Sequence, residues 1–197
     1  MVLDKLRSRT SFLVNGLALR LPNVSPNFLT MLAFLFSVLF GAAFYLGYLI
    51  PAFFILLISS YLDALDGAVA RNFDKESKKG DFLDHLLDRY SDLVVIAALS
   101  VSHFGNPYLG ILAISGTFMT SYVGTQSQAV GLKRMYGGFP GRADRLAIIM
   151  IGVILQAVLI NVKFFGLYIT SWILIILGIA GLINSIYRAF ISYRSIP

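Results

Sequence analysis

Long uncharged stretches dominate this chain. Leu29 to Leu49 carries no charge, and Pro51 opens a second run that meets its first charge at Asp63. A helix crossing the ~30 Å hydrocarbon core of a bilayer needs about 20 mostly apolar residues. Both runs meet that requirement. Four more segments follow: Asp81 to Val101, acidic in its first half and apolar in its second; Tyr108 to Val130, without charge; Leu146 to Val162; and Phe165 to Ile183. The pattern predicts an all-α, polytopic integral membrane protein with six transmembrane helices. Composition points the same way. Hydrophobic residues make up 57% and charged residues 13%, against ~45–50% and ~25% in soluble domains. A soluble globule, a disordered chain and a collagen-like fibre are excluded. With no cysteine, disulfides, thiolate zinc sites, iron–sulfur clusters and a cysteine nucleophile are excluded too.

The basic residues orient the spans. Lys5, Arg7, Arg9 and Arg20 precede the first span. Arg71, Lys75, Lys78 and Lys79 lie between the second and third, and Lys133, Arg134, Arg142 and Arg145 between the fourth and fifth. Arg188 and Arg194 follow or end the sixth span, while the opposite loops hold only Lys163. The positive-inside rule then predicts a multi-pass protein of the cell membrane with both termini cytoplasmic. A net charge of +6 in such a protein suits anionic lipid head groups or phosphate substrates, and no nucleic acid partner is expected. The first residues lack a signal-peptide cleavage site. Leu3, Leu6, Phe12, Leu13 and Leu17 instead predict an N-terminal interfacial amphipathic helix, ended by Pro22. With no internal repeat or low-complexity linker, residues 1–197 read as a single domain.

Acidic residues are the exception in this apolar sequence. Nine of the ten lie between Asp63 and Asp144, and eight between Asp63 and Asp92. Asp63, Asp66, Asp81, Asp84, Asp88 and Asp92 fall on expected helices, where an aspartate at the membrane centre costs ~2.5–3.5 kcal/mol. Pairing with neighbouring lysines and arginines accounts for Asp74 and Glu76. The cost of intramembrane charge argues for function at Asp63, Asp66, Asp84 and Asp88. Asp81 and Asp92 are open to either reading, as partners that orient the others.

Spacing groups these acids. Asp63 and Asp66 share one helix face, and Asp81, Asp84, Asp88 and Asp92 form a stripe of three- and four-residue steps on the next helix. A short connection makes the two helices antiparallel neighbours, so the acidic faces meet near the cytoplasmic surface. Facing carboxylates need protons or cations between them. All-oxygen sites suit Mg²⁺, Mn²⁺ or Ca²⁺, and two divalent ions would balance four carboxylates, as in sites for phosphoryl chemistry. Gly67 and Gly80 flank the acids and leave room for a ligand or for close helix packing. Arg71, one turn beyond Gly67, can hold a phosphate. His85, one position round the helix from Asp84, is not expected to bind metal. His103, Trp172 and the scattered Tyr and Phe residues read as solvated, packing or interfacial groups.

Asp63-x-x-Asp66-Gly67-x-x-Ala70-Arg71, eight residues, then Gly80-x-x-x-Asp84-x-x-x-Asp88 resembles the signature of the CDP-alcohol phosphotransferases at every fixed position. The Pro26-Asn27-x-x-Thr30 lead into the first span extends the resemblance over most of the chain. It implies a six-helix, homodimeric enzyme that transfers a substituted phosphate from a CDP-linked lipid donor to an alcohol and releases CMP, in a cavity open to the cytoplasm. It implies two Mg²⁺ or Mn²⁺ ions on Asp63, Asp66 and Asp84. Asp88 would complete the metal site and serve as the catalytic general base. Asn27, Thr30, Asp66, Gly67, Arg71 and Gly80 would lie at the CDP group.

For the acceptor the informative segment is the loop Met135-Tyr136-Gly137-Gly138-Phe139-Pro140-Gly141-Arg142-Ala143-Asp144-Arg145, which leads into the fifth span. Arg142 and Arg145, three apart at a helix start, with Arg188 from the last span, can grip a phosphate, or can anchor helix ends in head groups. The loop looks like that of synthases making phosphatidylinositol phosphate or its archaeal ether-lipid equivalent, whose acceptor is inositol phosphate. Those enzymes often carry Ser-Tyr-x-Lys or Ser-Tyr-x-Arg on the fourth span. Here Ser121-Tyr122-Val123 is followed by Gly124, so Ser121 matches and the basic residue does not. Glycerol phosphate, serine or another polyol are the alternative acceptors. A cation- or proton-coupled transporter is the alternative of another class, since intramembrane acids serve ion coupling too. Against it stand the missing repeat and the clustering of the acids near one membrane face.

Overall fold

The computed structural model describes residues 14–132 and 137–196 and is helical throughout, apart from one isolated bridge between Phe164 and Leu167. The helices are α1 (Pro26–Tyr45), α2 (Leu49–Asn72), α3 (Lys78–Val101), α4 (Pro107–Ala129), α5 (Arg142–Val158) and α6 (Ile169–Ser195). Their ends follow local chemistry. Pro26 sits in the first turn of α1, where a missing N–H costs nothing. Gly47, with φ +85°, closes that helix, and the Tyr48 N–H turns back to the Ala43 carbonyl as a left-handed cap requires. Ser77 Oγ accepts the Gly80 N–H ahead of α3 at 3.0 Å. Asn106 Oδ1 accepts the Tyr108 and Leu109 N–H groups at 2.9 and 3.3 Å, capping α4. Asp144 Oδ2 accepts the Gly141 N–H at 2.8 Å and closes the first turn of α5.

Among the described residues three helices, α1, α2 and α6, are long and apolar enough to cross a membrane. The other expected spans fall short for identifiable reasons. The first half of α3 holds the acidic stripe with Lys78, Lys79 and Arg89. The buried face of α4 is made of Gly110, Gly116, Thr117, Thr120, Gly124 and Ser127, which lowers its hydropathy. The 17 residues of α5 rise about 25 Å, less than the hydrocarbon core. The expected amphipathic helix falls mostly on residues 1–13, outside the described residues. Of its end, residues 14–18 are helical.

The chain divides into two compact units. One holds the residues up to Leu39 with Phe54–Ser91, the other Phe40–Phe53 with Asp92 onward. In the first, Val14, Ala18, Leu29, Leu65, Ala68 and Val69 form a buried cluster, with Leu21, Val24, Leu62 and Phe73 against it. Ser37 and Ser59 hydroxyls pair at 2.9 Å, and Ser59 also reaches the Ala33 carbonyl at 2.8 Å. Such bonds hold helices together where water does not compete. Lys75 Nζ donates to the Pro22 and Val24 carbonyls at 2.6 and 3.1 Å, fastening the strand of chain that delivers α1.

In the second unit α4 and α6 approach backbone to backbone. A Cβ on Gly116 would run into the Gly178 carbonyl, and one on Gly181 would meet the Gly116 backbone. Thr120 Oγ1 donates to the Gly181 carbonyl at 2.7 Å. The small, polar face of α6 is buried, including Gly178, Gly181, Asn184 and Ser185. Its exposed face is apolar, with Ile176, Ile179, Ile183 and Ile186. Outward apolar groups and inward small ones are what a lipid solvent selects.

Candidate active site

In the first unit the later half of α2 and the start of α3 bring their acids together. Asp63, Asp66 and Asp84 each offer a carboxylate oxygen within 4.8 Å of the others. Asp84, His85 and Asp88 make a second group by the same measure. Asp84 belongs to both, so one carboxylate links two potential ion sites. Asp66 and Asp88 are buried. Thr30 Oγ1, from α1, donates to Asp66 Oδ2 at 2.7 Å, which fixes that carboxylate in place. Oxygen-rich, clustered donors with one imidazole fit Mg²⁺ or Mn²⁺.

His85 was not expected here. Its Nε2 lies 3.1 Å from Asp81 Oδ1 and its Nδ1 3.9 Å from Asp84 Oδ2. The spacing that places it was present: His85 is four residues after Asp81 and three before Asp88, both same-face steps. Arg89 Nη2 lies 3.9 Å from Asp88 Oδ2.

Beside the acids an open cavity of about 570 Å³ is lined by Asn27, Thr30, Asp66, Gly67, Arg71 and Gly80, together with Asp81 and Asp84. All six residues expected at the CDP group thus border one space, which shares Asp66 and Asp84 with the ion groups. Asp63 and Asp88 do not line it. A side chain at either glycine would crowd the residues that border this space. A Cβ on Gly67 would stand 3.1 Å from Arg71 Nη1, and one on Gly80 would stand 3.2 Å from Asn27 Oδ1. Lys75, Ser77 and Lys78 also line the cavity, and no motif in the sequence marks them for it. Their position in the short α2–α3 connection, beside Gly80, was the available signal.

The expected acceptor residues lie in the second unit. Arg145 is buried, and its Nη2 donates to Asp92 Oδ2 at 2.7 Å. Arg188 is buried as well. Its Nε donates to the Gly137 carbonyl at 2.8 Å and its Nη1 to the Thr120 carbonyl at 3.0 Å. Asn184 Nδ2 reaches the Pro140 carbonyl at 3.4 Å, so α6 holds the loop before α5 at two points. Gly138, with φ +93°, packs against Asn184 with no space for a Cβ. Arg142 is half-buried at the start of α5. Ser121 Oγ donates to the Thr117 carbonyl at 3.2 Å. Lys133 and Arg134 fall outside the described residues.

Comparison with known proteins decides the family. The CDP-alcohol phosphatidyltransferase profile matches residues 23–191. The chain belongs to that family. It is 36% identical over 150 residues to an archaetidylinositol phosphate synthase of Pyrococcus horikoshii, covering 76% of this chain and 79% of the relative. Among solved structures, the phosphatidylinositol phosphate synthase of Mycobacterium tuberculosis with CDP-DAG bound superposes with a TM-score of 0.76 at 26% identity, covering 93% of each chain. The same enzyme in complex with manganese and citrate gives a TM-score of 0.76 at 26% identity, over 93% of this chain and 88% of that one. As a CDP-alcohol phosphatidyltransferase, this chain is a membrane enzyme whose clustered aspartates suit the divalent ions such enzymes use.

Proposed function

We propose that this phosphatidyltransferase moves a phosphatidyl or archaetidyl group from a CDP-activated lipid to inositol phosphate and releases CMP. The observation that carries the reading is the joint placement of Asp63, Asp66 and Asp84 beside the cavity bordered by Asn27, Gly67, Arg71 and Gly80. Bound Mg²⁺ or Mn²⁺, two ions shared through Asp84, would neutralise the donor diphosphate and the departing CMP. Arg71, folded back over Gly67, presents a guanidinium to the diphosphate. Asn27 and Gly80 shape the nucleotide end, and Thr30 holds Asp66 toward the ions. The acceptor hydroxyl oxygen attacks the lipid-linked phosphorus. A new P–O bond forms, the P–O bond to CMP breaks, and the hydroxyl proton passes to Asp88. Arg142, Arg145, Arg188 and Ser121 bind the acceptor phosphate.

On this reading the chain is one catalytic domain with six spans, an interfacial N-terminal helix, both termini and the active site on the cytoplasmic side, and a homodimeric assembly. Arg71, Lys75, Lys78 and Lys79, around the α2–α3 connection, support that sidedness by the positive-inside rule. The synthase names of the relatives support inositol phosphate. The test is CMP release by purified protein supplied with CDP-diacylglycerol or CDP-archaeol, Mg²⁺ or Mn²⁺, and inositol phosphate, glycerol phosphate or serine in turn. Release with inositol phosphate alone is the expected result. Release only with another acceptor would reassign the acceptor, and none with any pair would reject the reading.

A further inference from the structure

Asp92 is buried, belongs to neither ion group, and takes no part in the chemistry described above. It lies one helical turn beyond Asp88 in α3 and accepts from Arg145 Nη2 at 2.7 Å, with both side chains under a tenth exposed. The pair is incomplete on one side. Arg145 Nε is buried and has no hydrogen-bond partner among the described residues. A guanidinium offers five donors in one plane, so Asp92 fixes the orientation of that plane while the Nε donor stays uncommitted.

Two structural roles for the pair have little support. Apolar packing of the same shape is commonly as stable as a buried ion pair, so stability alone does not call for one. The start of α5 is already fixed without it, by Asp144 on Gly141, by Arg188 on Gly137 and by Asn184 on Pro140. What remains for Asp92 is the placement of the guanidinium itself. We propose that Asp92 is a positioning residue for the acceptor phosphate: it orients Arg145 so that the Nε donor is held ready for a phosphate oxygen. This rests on the reading above that Arg145 binds that phosphate. The carboxylate also balances the buried cation while no phosphate is bound, so the site does not have to rearrange on each turnover.

The test compares Asp92→Asn, Asp92→Glu, Arg145→Gln and the double variant Asp92→Asn/Arg145→Gln, using the acceptor that supports CMP release. Asp92→Asn is expected to raise KM for the acceptor about tenfold or more, the loss of one charge-assisted hydrogen bond. KM for the CDP-lipid should not move, and kcat should stay within about threefold. Asp92→Glu should fall between wild type and Asp92→Asn. The double variant should be no worse than Arg145→Gln alone, because Asp92 acts through that arginine. Thermal unfolding in detergent follows each variant. If Asp92→Asn does not accumulate, Asp92→Glu carries the test, since it keeps the charge and displaces the guanidinium. An unchanged acceptor KM in Asp92→Glu then contradicts the proposal. If Arg145→Gln raises the acceptor KM and Asp92→Asn does not, the proposal fails and the acceptor reading survives. If neither variant changes it, or the acceptor carries no phosphate, both fail. Parallel loss of stability, donor KM and kcat in Asp92→Asn, without recovery in Asp92→Glu, assigns the pair a purely structural role and also overturns the proposal.

Discussion

At the residue scale the chemistry is concentrated in a few carboxylates, and each has a separate environment. Asp66 is buried under Thr30, Asp84 is shared between two ion groups, and Asp88 is buried one turn further along α3. Asp88→Asn keeps the shape and removes the base, so CMP release should fall about 10²–10⁴-fold; a loss of less than tenfold would remove Asp88 from catalysis. Thr30→Val removes the hydroxyl that fixes Asp66. A Mn²⁺ titration of CMP release should then show an apparent affinity about 10–100-fold weaker, and Thr30→Ser should restore most of it. The aspartates were legible in the sequence because charge is expensive in an apolar helix and their three- and four-residue steps define a face. The partners of Arg145 and Arg188 were not. Asp92 is 53 residues from Arg145, and the Gly137 carbonyl is 51 from Arg188. No local period encodes such pairings. The contacts these two arginines make, to a carboxylate and to a loop, are therefore visible only in the fold.

At the element scale, the helices were legible from uncharged runs and caps, and their limits were set by chemistry that hydropathy weighs poorly. α4 was expected from its lack of charge, and it forms, yet its buried glycines and hydroxyls make it too polar to qualify as a span by composition. Those same residues are what let α6 approach. Gly116→Val would drive a side chain into the Gly178 backbone, and overpacking of this kind costs ~1–3 kcal/mol or more. Thermal unfolding in detergent should show a clear drop for Gly116→Val. Gly16→Ala, with nothing within 4 Å of the added Cβ, should change little. Asn106→Ala removes the α4 cap and should cost about 1 kcal/mol in the same measurement.

At the scale of the whole molecule, six spans with a cytoplasmic active site fix which loops face which side of the membrane. The chain has no cysteine, so single cysteines can be placed without background. With six spans and a cytoplasmic active site, Lys79→Cys and Arg194→Cys should react with a membrane-impermeant maleimide only after the cells are opened. Tyr48→Cys and Lys163→Cys should react in intact cells. A chain with only three spans would place Lys79 and Arg194 on opposite sides.

If the clustered aspartates run CDP-lipid transfer, CMP release must depend on a divalent metal and on the carboxylates that hold it. Purified protein with a CDP-lipid and inositol phosphate should release CMP with Mg²⁺ or Mn²⁺, stop when the metal is chelated, recover on its return, and remain silent in Asp84→Asn, which removes the ligand shared by both ion groups. CMP release that persists through chelation, or an Asp84→Asn enzyme that turns over at the wild-type rate, would contradict the account.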